Sequence, residues 1–265
     1  MTQPDRPAGR GQRLAPTPVK AAALAHGAAV FTPTALRAFA DELRALAPDL
    51  CVVASYGRIV PQTLLDAVPL WLNVHPSLLP LYRGATPIQS AIRDGCRETG
   101  VTIIAMDAGM DTGDIVAQTP PLAIADGETY GELHDRLAEI AAGLLVAAVD
   151  AHVAGTLTRT PQDGSRATVT RPLVKADRLL VPYAREHGAQ AGVDLVRSLA
   201  PRPGALLEDP AWGALVVQRA HAQAAQPERS VALAANDGAW IVADLVVPPG
   251  KRPMAAADFL RGVQR

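Results

Sequence analysis

The stretch LWLNVHPSLLP, residues 70–80, decides the fold class of this chain. Its beginning, Leu70 to Val74, is a short and mostly apolar run of the kind that forms a buried strand. The polar residues Asn73, His75 and Ser77 fall at the C-terminal end of that run. In open α/β sheets, binding sites lie just outside the C-terminal ends of the strands. The stretch therefore predicts both a sheet strand and the place of a site.

Strands and helices alternate on both sides of this stretch. Three further strands are expected, at Leu50 to Ala54, Val101 to Met106 and Ile115 to Ile124, and Pro120 and Pro121 place the last one at an edge or a bulge. Four helices are expected between and after them: a segment with Leu36, Phe39, Leu43 and Leu46 that ends at Pro48, a short helix after Pro61, a helix capped by Thr86 with Pro87 in its first turn, and a long helix from about Thr129 to Val153. The alternation predicts a Rossmann-like, mostly parallel sheet.

The remainder of the chain predicts a second, smaller domain. Residues 155–170 are polar, as a linker would be. A helix from Ala189 to Leu199 then precedes several short β-like segments, and Asn236-Asp237-Gly238 is a strong hairpin signal between the last two of them. We expect a catalytic domain over 1–157, a linker over 158–170 and an OB-like β-barrel domain over 171–265.

Asn73 and His75 are two residues apart, so their side chains point to the same side of an extended strand. An amide donor and an imidazole in one space can stabilise a developing oxyanion and move a proton, as acyl or formyl transfer to an amine requires. The alternative is a strand end whose polar side chains only bond to nearby backbone groups. Spacing alone favours this alternative.

A second polar segment, MDAGMDTGD at 106–114, holds Asp107, Asp111 and Asp114 among glycines. It could be a metal-binding loop, a solvated turn, or a loop that presents a catalytic carboxylate. The spaced ligands and the terminal Glu of a calcium loop are missing from it. Asp111 is our candidate for a carboxylate that orients His75 and supports its charge.

Composition and motifs reduce the number of possible functions. The N-terminus has no apolar signal region, and the apolar runs are far shorter than the roughly 20 residues that cross a bilayer, so we expect a cytoplasmic protein with no membrane partner. Cys51 and Cys96 fit a reducing compartment. The sequence contains no P-loop, HExxH or GxGxxG motif, which argues against NTP hydrolysis, metal-dependent hydrolysis and nicotinamide chemistry.

Residues 1–20 are rich in proline and glycine, and we expect a loop without secondary structure there. Because the formal net charge is only −1, the chain can contact nucleic acid only through a local basic patch, and this segment is one. Arginines flanked by Gly and Pro can wrap a strand and contact its phosphates, although an ordinary solvated segment has the same composition. The cations of the segment are Arg6, Arg10, Arg13 and Lys20.

Four stretches together resemble the methionyl-tRNA formyltransferase family: TQPDRPAGRG at 2–11, NVHPSLLPLYRGATPIQ at 73–89, GVTIIAMDAGMDTGDI at 100–115 and PPGKRPMAAADFL at 248–259. The second and third are also similar to folate-dependent formyltransferases that act on glycinamide ribonucleotide and on amino sugars. The first stretch separates the tRNA branch, because it resembles the insertion that meets the acceptor stem of the initiator tRNA.

The resemblance implies a catalytic set of Asn73, His75 and Asp111, and Arg10 matches the key arginine of the tRNA-contacting insertion. It also implies a folate site lined by Ser77, Leu78, Leu79 and Pro80. The pterin ring would be held through the backbone of a turn formed by Tyr56, Gly57, Arg58, Ile59 and Val60. The implied formyl donor is 10-formyltetrahydrofolate, the implied partner is initiator methionyl-tRNA, no metal is needed, and the chain is expected to be a monomer.

The implied mechanism is a direct transfer of the formyl group to the neutral methionyl amine. Asn73 and a protonated His75 would stabilise the tetrahedral oxyanion. Asp111 would orient His75, support its charge and, through water, help to route a proton to the leaving folate nitrogen.

The chain departs from the family at two points. Family members begin about thirty residues earlier with a hydrophobic strand that is interior in a doubly wound sheet, so this sheet is expected to lack a central strand. That departure leaves open a start site assigned too late or a truncated remnant without activity. Leu199 to Pro203 stands where the family is aromatic-rich, which leaves the C-terminal tRNA contacts open. The rival functions are an amino-sugar formyltransferase with the same catalytic set and a non-catalytic folate- or RNA-binding remnant.

Overall fold

The structure, a computed structural model, describes residues 1–8, 12–210 and 212–263. Contacts divide the chain into two compact units, and each unit is described by itself. The first consists of Met1–His75, Ile103–Val116 and Thr158–Gln162, and the second of Pro76–Thr102, Ala117–Leu157 and Asp163–Arg265. The domain boundaries expected from the sequence, with a linker at 158–170, remain a prediction.

The elements of the described residues are numbered in chain order. The strands are β1 (Arg6–Ala8), β2 (Arg13–Ala15), β3 (Cys51–Ala54), β4 (Trp71–His75), β5 (Arg83–Gly84), β6 (Glu98–Thr99), β7 (Thr102–Ala105), β8 (Asp114–Gln118), β9 (Leu122–Ala123), β10 (Val169–Thr170), β11 (Ala205–Asp209), β12 (Gly213–Gln223), β13 (Ala232–Ala234), β14 (Trp240–Val247) and β15 (Met254–Ala255). The α-helices are α1 (Pro18–Ala25), α2 (Ala40–Leu46), α3 (Gln62–Leu65), α4 (Pro87–Arg93), α5 (Tyr130–Val153), α6 (Leu180–His187), α7 (Ala189–Leu199) and α8 (Ala256–Val263). Short 3₁₀ helices occur at Arg37–Phe39, Gly164–Arg166 and Lys175–Arg178.

The N-terminal segment is not the loop that its composition predicted. β1 and β2 pair antiparallel, with Arg6 opposite Ala15. α1 follows directly, because the Thr17 side chain caps it by accepting a bond from the Lys20 backbone N–H at 3.1 Å, and Pro18 stands in the first turn. The prediction was wrong because glycine and proline also suit a hairpin turn and the start of a helix.

A four-stranded sheet in the order β3-β4-β7-β8 contains the strands that the sequence predicted, and β3 runs parallel to β4. β7 is buried along its whole length. β3 forms an edge of this sheet among the described residues and is not the fully buried strand expected from its apolar run. Cys51 and Val53 are half-buried, whereas Val52 is 42% exposed. An apolar run does not tell a strand covered on both sides from one at an edge.

Two prolines divide the segment predicted as one interrupted strand. β8 ends at Gln118, before Pro120 and Pro121, and it forms the other edge of the four-stranded sheet. β9 begins after the prolines and pairs with β6 in a separate two-stranded sheet. The expected interruption at an edge strand is confirmed, and its physical reason is that proline cannot donate to the ladder.

The core of the first unit includes α2 and the turn before it. Leu36, Phe39 and Leu43 are buried as predicted, together with Leu64 of α3. Leu46, predicted on the same face, is 52% exposed. The segment begins as a 3₁₀ turn, which has three residues per turn, and this shifts the positions that follow around the helix.

In the second unit, α5 begins directly after Thr129, close to the predicted start, and it has a capping box in which the Thr129 and Glu132 side chains each bond to the other's backbone. Its buried face carries Leu133 and Leu137. α4 has Thr86 at its N-cap and Pro87 in its first turn, as predicted, but the Thr86 side chain makes no capping bond, and its hydroxyl instead donates to the Arg171 carbonyl at 3.0 Å. Within the described residues, no helix is long and apolar enough to cross a membrane.

The C-terminal part of the second unit is a five-stranded antiparallel sheet in the order β11-β12-β14-β13, with β15 paired to β14. The Asn236-Asp237-Gly238 hairpin is confirmed, since β13 pairs with β14 across it. α6 and α7 pack with this sheet around buried residues such as Leu195, Leu199 and Leu215. Strand pairing in the described part of the chain does not close the sheet into a barrel, so the OB-like barrel remains a prediction.

Candidate functional site

The C-terminal end of β4 places two of the predicted site residues in one unit. Asn73 is half-buried, and His75 is 4% exposed. β4 lies inside the four-stranded sheet, between β3 and β7. A strand paired on both sides has little freedom, so the backbone beneath these two side chains is rigid.

The loop between β7 and β8 supplies the third predicted site residue, Asp111. Side chains within this loop fix its conformation. The Asp107 carboxylate accepts bonds from the Gly109 N–H at 3.0 Å and from the Thr112 hydroxyl at 2.7 Å. Gly113 lies so close to the Ala105 carbonyl that a Cβ there would be 1.9 Å from that oxygen. Asp107 is therefore a turn-forming residue, and the loop follows a defined path to Asp111.

The Asp111 carboxylate faces Asn73 with one oxygen and His75 with the other. The Asn73 side-chain amide donates to Asp111 Oδ1 at 3.1 Å. His75 Nδ1 lies 3.6 Å from Asp111 Oδ2, an ion pair when the imidazole is protonated. The structure thus brings together the three residues that the sequence singled out. An amide nitrogen carries two hydrogens, so Asn73 keeps one donor beyond its bond to Asp111.

Sequence reasoning missed Gln162, which contacts the same loop. Its side-chain amide donates to the Asp111 carbonyl at 2.9 Å and to the Gly113 carbonyl at 2.7 Å. The residue lies 51 positions from Asp111 in a segment read as linker. No motif or spacing could have indicated this contact.

The N-terminal hairpin carries two of the predicted tRNA-binding residues, Arg6 and Arg13. Ala8 is opposite Arg13 and Arg6 is opposite Ala15, so Arg6 and Arg13 lie on the same face of the two-stranded ribbon. Both arginines are exposed. Arg10 lies outside the described residues. Lys20 is not presented on this face; its ammonium pairs with both Asp5 oxygens at 2.9 Å and ties α1 to the start of the hairpin.

The turn predicted to hold the pterin, Tyr56 to Val60, lies in the same unit as Asn73. Gly57 has a positive φ of 69°, a conformation that glycine adopts without cost. Ile59 is 88% exposed, whereas Val60 is buried. The Tyr56 carbonyl accepts a bond from the Gln3 side-chain amide at 2.7 Å. Gln3 was also missed by sequence reasoning.

Arg58, the remaining charged member of that turn, reaches back to the segment before α2. Its guanidinium donates to the Thr34 carbonyl at 3.5 Å, at the long limit for a hydrogen bond. The turn therefore combines an exposed apolar side chain, a backbone held by Gln3 and an arginine at its outer side. An exposed apolar side chain beside fixed backbone groups is suited to a flat ring that bonds through its edge.

In the second unit, the predicted folate-lining residues Ser77 to Pro80 form a tightly bonded loop. Ser77 is fully buried, and its hydroxyl donates to the Leu81 carbonyl at 2.6 Å. Thr102 accepts from the Leu79 N–H at 3.1 Å and donates to the Ser77 carbonyl at 2.7 Å. Leu79 and Pro80 are buried, and Leu78 is half-buried. Their side chains therefore shape the loop from within.

A cavity of about 470 Å³ in the second unit was not predicted. Tyr82 lines it, with its hydroxyl 3.2 Å from Asp94 and 3.0 Å from the Cys96 sulfur. Burial, with the hydrogen bond to Cys96 and the nearby Asp94 charge, raises the pKa of Tyr82 well above its usual range. The hydroxyl stays protonated near neutral pH and donates to Asp94.

The comparisons with known proteins agree with this fold. A family model described as formyl transferase matches residues 1–149. The solved structure of HypX from Aquifex aeolicus in complex with tetrahydrofolic acid superposes with a TM-score of 0.66 over 87% of this chain and 41% of that one, at 19% identity. An N-formyltransferase from Helicobacter canadensis, solved with folinic acid and dTDP-3-aminofucose, gives a TM-score of 0.57 over 71% of this chain and 70% of its own, at 17% identity. At these identities the likeness to the solved structures shows the fold alone. The family model defines the class of protein, which is formyl transferase.

Curated relatives resolve the branch. The methionyl-tRNA formyltransferase of Halorhodospira halophila is 44% identical over 99% of this chain and 87% of its own. That of Symbiobacterium thermophilum is 44% identical over 99% of this chain and 83% of its own. The chain belongs to the formyl transferase family and, within it, to the methionyl-tRNA formyltransferases.

Proposed function

We propose that this chain transfers the formyl group of 10-formyltetrahydrofolate to the free amino group of initiator methionyl-tRNA. The observation that carries the proposal is the Asp111 carboxylate, which faces the Asn73 amide and the His75 imidazole with its two oxygens. The relatives that are 44% identical over nearly the whole chain, both named methionyl-tRNA formyltransferase, support the choice of substrate.

Each member of the catalytic set has one task in this reaction. Attack of the amine forms a C–N bond at the formyl carbon and places negative charge on the formyl oxygen. Asn73, with the amide hydrogen not bonded to Asp111, and His75, when protonated, stabilise that charge, an effect worth about a hundredfold or more in rate per donor. Asp111 holds both donors in place. The bond to the folate nitrogen then breaks, and the proton lost by the amine ends on that nitrogen.

We propose two backbone segments for folate binding. The turn from Tyr56 to Val60 offers fixed backbone groups beside the exposed Ile59 side chain, which suits a flat pterin ring. The loop from Ser77 to Pro80 offers backbone held rigid by Thr102. A site made of rigid backbone is preorganised, so little ordering cost remains when the folate binds.

We propose the hairpin of β1 and β2 as a contact for the tRNA. Arg6 and Arg13 share one face of it, and an arginine pair can contact successive phosphates. We also propose an OB-like β-barrel at 171–265 as a second tRNA platform, activity as a monomer, and action in the cytoplasm, where tRNA is charged.

The test is a transfer assay on the purified chain with 10-formyltetrahydrofolate and three acceptors: methionyl initiator tRNA, the same tRNA uncharged, and a nucleotide-linked amino sugar. Formylmethionine is released by mild alkali and quantified by mass spectrometry. We expect formylation of the charged tRNA alone. Sugar formylation without tRNA formylation would overturn the substrate, and no transfer to any acceptor would identify an inactive remnant.

A matched pair of variants ties that activity to the site. His75→Asn should lower the turnover of methionyl-tRNA about a hundredfold or more, because a donor to the developing oxyanion is lost. His134→Asn is the control, since His134 also contacts a carboxylate, Asp135 at 2.9 Å, but on an exposed surface of the second unit. Equal turnover in the two variants would remove His75 from the mechanism.

A further inference from the structure

The loop that carries Asp111 has a backbone conformation that needs outside support. Asp111 has a φ of 55°, in the left-handed region that favours glycine. For a residue with a side chain, such a conformation is strained and persists only when its surroundings hold it. The direction of the Asp111 carboxylate, and with it the contacts to Asn73 and His75, depends on this conformation.

Gln162 provides support from outside the loop. The two hydrogens of its side-chain amide are both used, one on the Asp111 carbonyl at 2.9 Å and one on the Gly113 carbonyl at 2.7 Å. The two carbonyls lie on either side of the dipeptide Thr112-Gly113. One amide therefore fixes the peptide that follows Asp111 and the one that follows Gly113, which leaves little freedom to the two residues between them.

Gln162 is itself held in place by the strand beside it. Thr160, two residues earlier, forms an antiparallel bridge with Ile115 of β8. The Ile115 N–H donates to the Thr160 carbonyl at 2.8 Å, and the Thr160 N–H donates to the Ile115 carbonyl at 2.9 Å. The amide of Gln162 is thus anchored to β8, just after the end of the Asp111 loop.

We propose that Gln162 is a positioning residue for the formyl transfer: it holds the Asp111 loop in the left-handed conformation that points one carboxylate oxygen at Asn73 and the other at His75. The inference rests on the proposed function, since it concerns the same reaction. Gln162 acts through Asp111 and stabilises no transition-state charge itself. Loss of its amide lets the loop relax, and the carboxylate then orients the two donors less often.

Two variants at position 162 test the role of the amide separately from the role of the rest of the side chain. Gln162→Met keeps the length but has no donor, and Gln162→Asn keeps an amide that is one methylene too short to reach both carbonyls. We expect both to lower kcat for methionyl-tRNA about ten- to a hundredfold, with KM for folate and for tRNA within about twofold, since only an orientation effect in the transition state is lost. Gln62→Met is the control, because the Gln62 amide also donates to an oxygen, that of the Asp66 carboxylate at 2.7 Å, on the exposed side of α3.

A double-mutant cycle distinguishes positioning from a general structural role. If Gln162 acts through Asp111, Gln162→Met should cost little further activity in an Asp111→Asn background. A full and independent loss in that background, or wild-type kcat in both Gln162 variants, would overturn the proposal. If Gln162→Met does not fold, Gln162→Asn replaces it in the same double-mutant cycle. A wild-type chain that binds folate but does not formylate methionyl-tRNA would instead overturn the proposed function.

Discussion

Asp111 is the residue on which the site depends, because it is the contact shared by the amide and the imidazole. Asp111→Asn keeps the size of the side chain but removes the negative charge that supports a protonated His75. We expect kcat for methionyl-tRNA to fall about a hundredfold or more, with KM for the folate little changed. The measurement is steady-state formyl transfer at several concentrations of each substrate. Asp135→Asn, at the exposed His–Asp pair, is the control, and near-normal turnover of Asp111→Asn would remove the carboxylate from the mechanism.

Some of this site could be read from the residues and some could not. The i, i+2 spacing of Asn73 and His75 on a strand end fixes their common side, and the structure confirms it. The three aspartates of the next loop look alike in sequence. Only the structure shows that Asp107 bonds within its own turn, whereas Asp111 faces His75. Gln162 could not be found, because a contact between residues far apart in the chain leaves no pattern in either segment.

At the scale of elements, Gln3 connects the hairpin to the turn predicted to hold the pterin. Its amide nitrogen donates to the Tyr56 carbonyl at 2.7 Å, and its amide oxygen accepts from the Arg6 guanidinium at 2.6 Å. Gln3→Ala removes the bond to the turn. We expect KM for the folate to rise about fivefold, as the loss of one hydrogen bond of about 1 kcal/mol implies. Binding of a stable reduced folate, followed by calorimetry, measures the same quantity without tRNA.

Arg13→Ala is the control for this prediction, because Arg13 lies on the opposite strand of the hairpin and makes no bond to Gln3 or Tyr56 among the described contacts. It should leave folate binding unchanged. Equal folate affinity in Gln3→Ala and the wild type would show that the turn keeps its shape without the hairpin.

The capping box of α5 makes a prediction about stability. Thr129 N–H and hydroxyl donate to the Glu132 carboxylate at 2.9 and 2.7 Å, and Arg219 donates to its other oxygen at 2.6 Å. These bonds, those from Thr129 first, lower the pKa of Glu132. Thr129→Ala should lower the free energy of unfolding by about 1 kcal/mol near neutral pH, measured by urea denaturation.

The pH dependence of a second variant follows from the same shift. A carboxylate whose pKa is lower in the folded state stabilises the fold at pH values above its ordinary pKa, and that contribution is lost as the pH falls through the lowered value. Glu132→Gln should therefore be less stable than the wild type near neutral pH, and the gap should close in acid. Glu139→Gln, on the exposed side of the same helix, should show no gap at either pH. A gap that widens in acid would contradict the assignment.

Elements whose own sequence favours one structure were predicted correctly. Elements whose composition suits several structures were not. α7 lies where the sequence placed a helix, and β13 and β14 flank the predicted Asn236-Asp237-Gly238 hairpin. The hairpin of β1 and β2 was missed, because its strands are short and its proline and glycine content also suits a loop. The position of β3 at the edge depends on strand order, which no single segment encodes.

For the whole molecule, the net charge bears on the proposed contact with the tRNA. The chain has a net charge of only −1, so attraction to a polyanion must come from a local group of cations and not from the overall field. The exposed arginines of the hairpin form such a group. Arg10 lies outside the described residues, and the resemblance to the family makes it the candidate for the strongest contact. Each phosphate contact contributes about 0.7–0.9 to the slope of log affinity against log salt concentration.

Arg10→Ala and Arg13→Ala should each weaken tRNA use and reduce that slope by about one, while KM for the folate stays constant. The measurement is kcat/KM for methionyl-tRNA over a series of potassium chloride concentrations. Arg44→Ala is the control, because Arg44 is an exposed arginine of the same unit that pairs with Asp41 at 2.7 Å instead of lying on the hairpin. If Arg44→Ala changes the slope as much as the Arg10 and Arg13 variants do, the tRNA responds to the charge of the whole surface. If only the Arg10 and Arg13 variants change the slope, the phosphates lie against the N-terminal segment that contains β1 and β2.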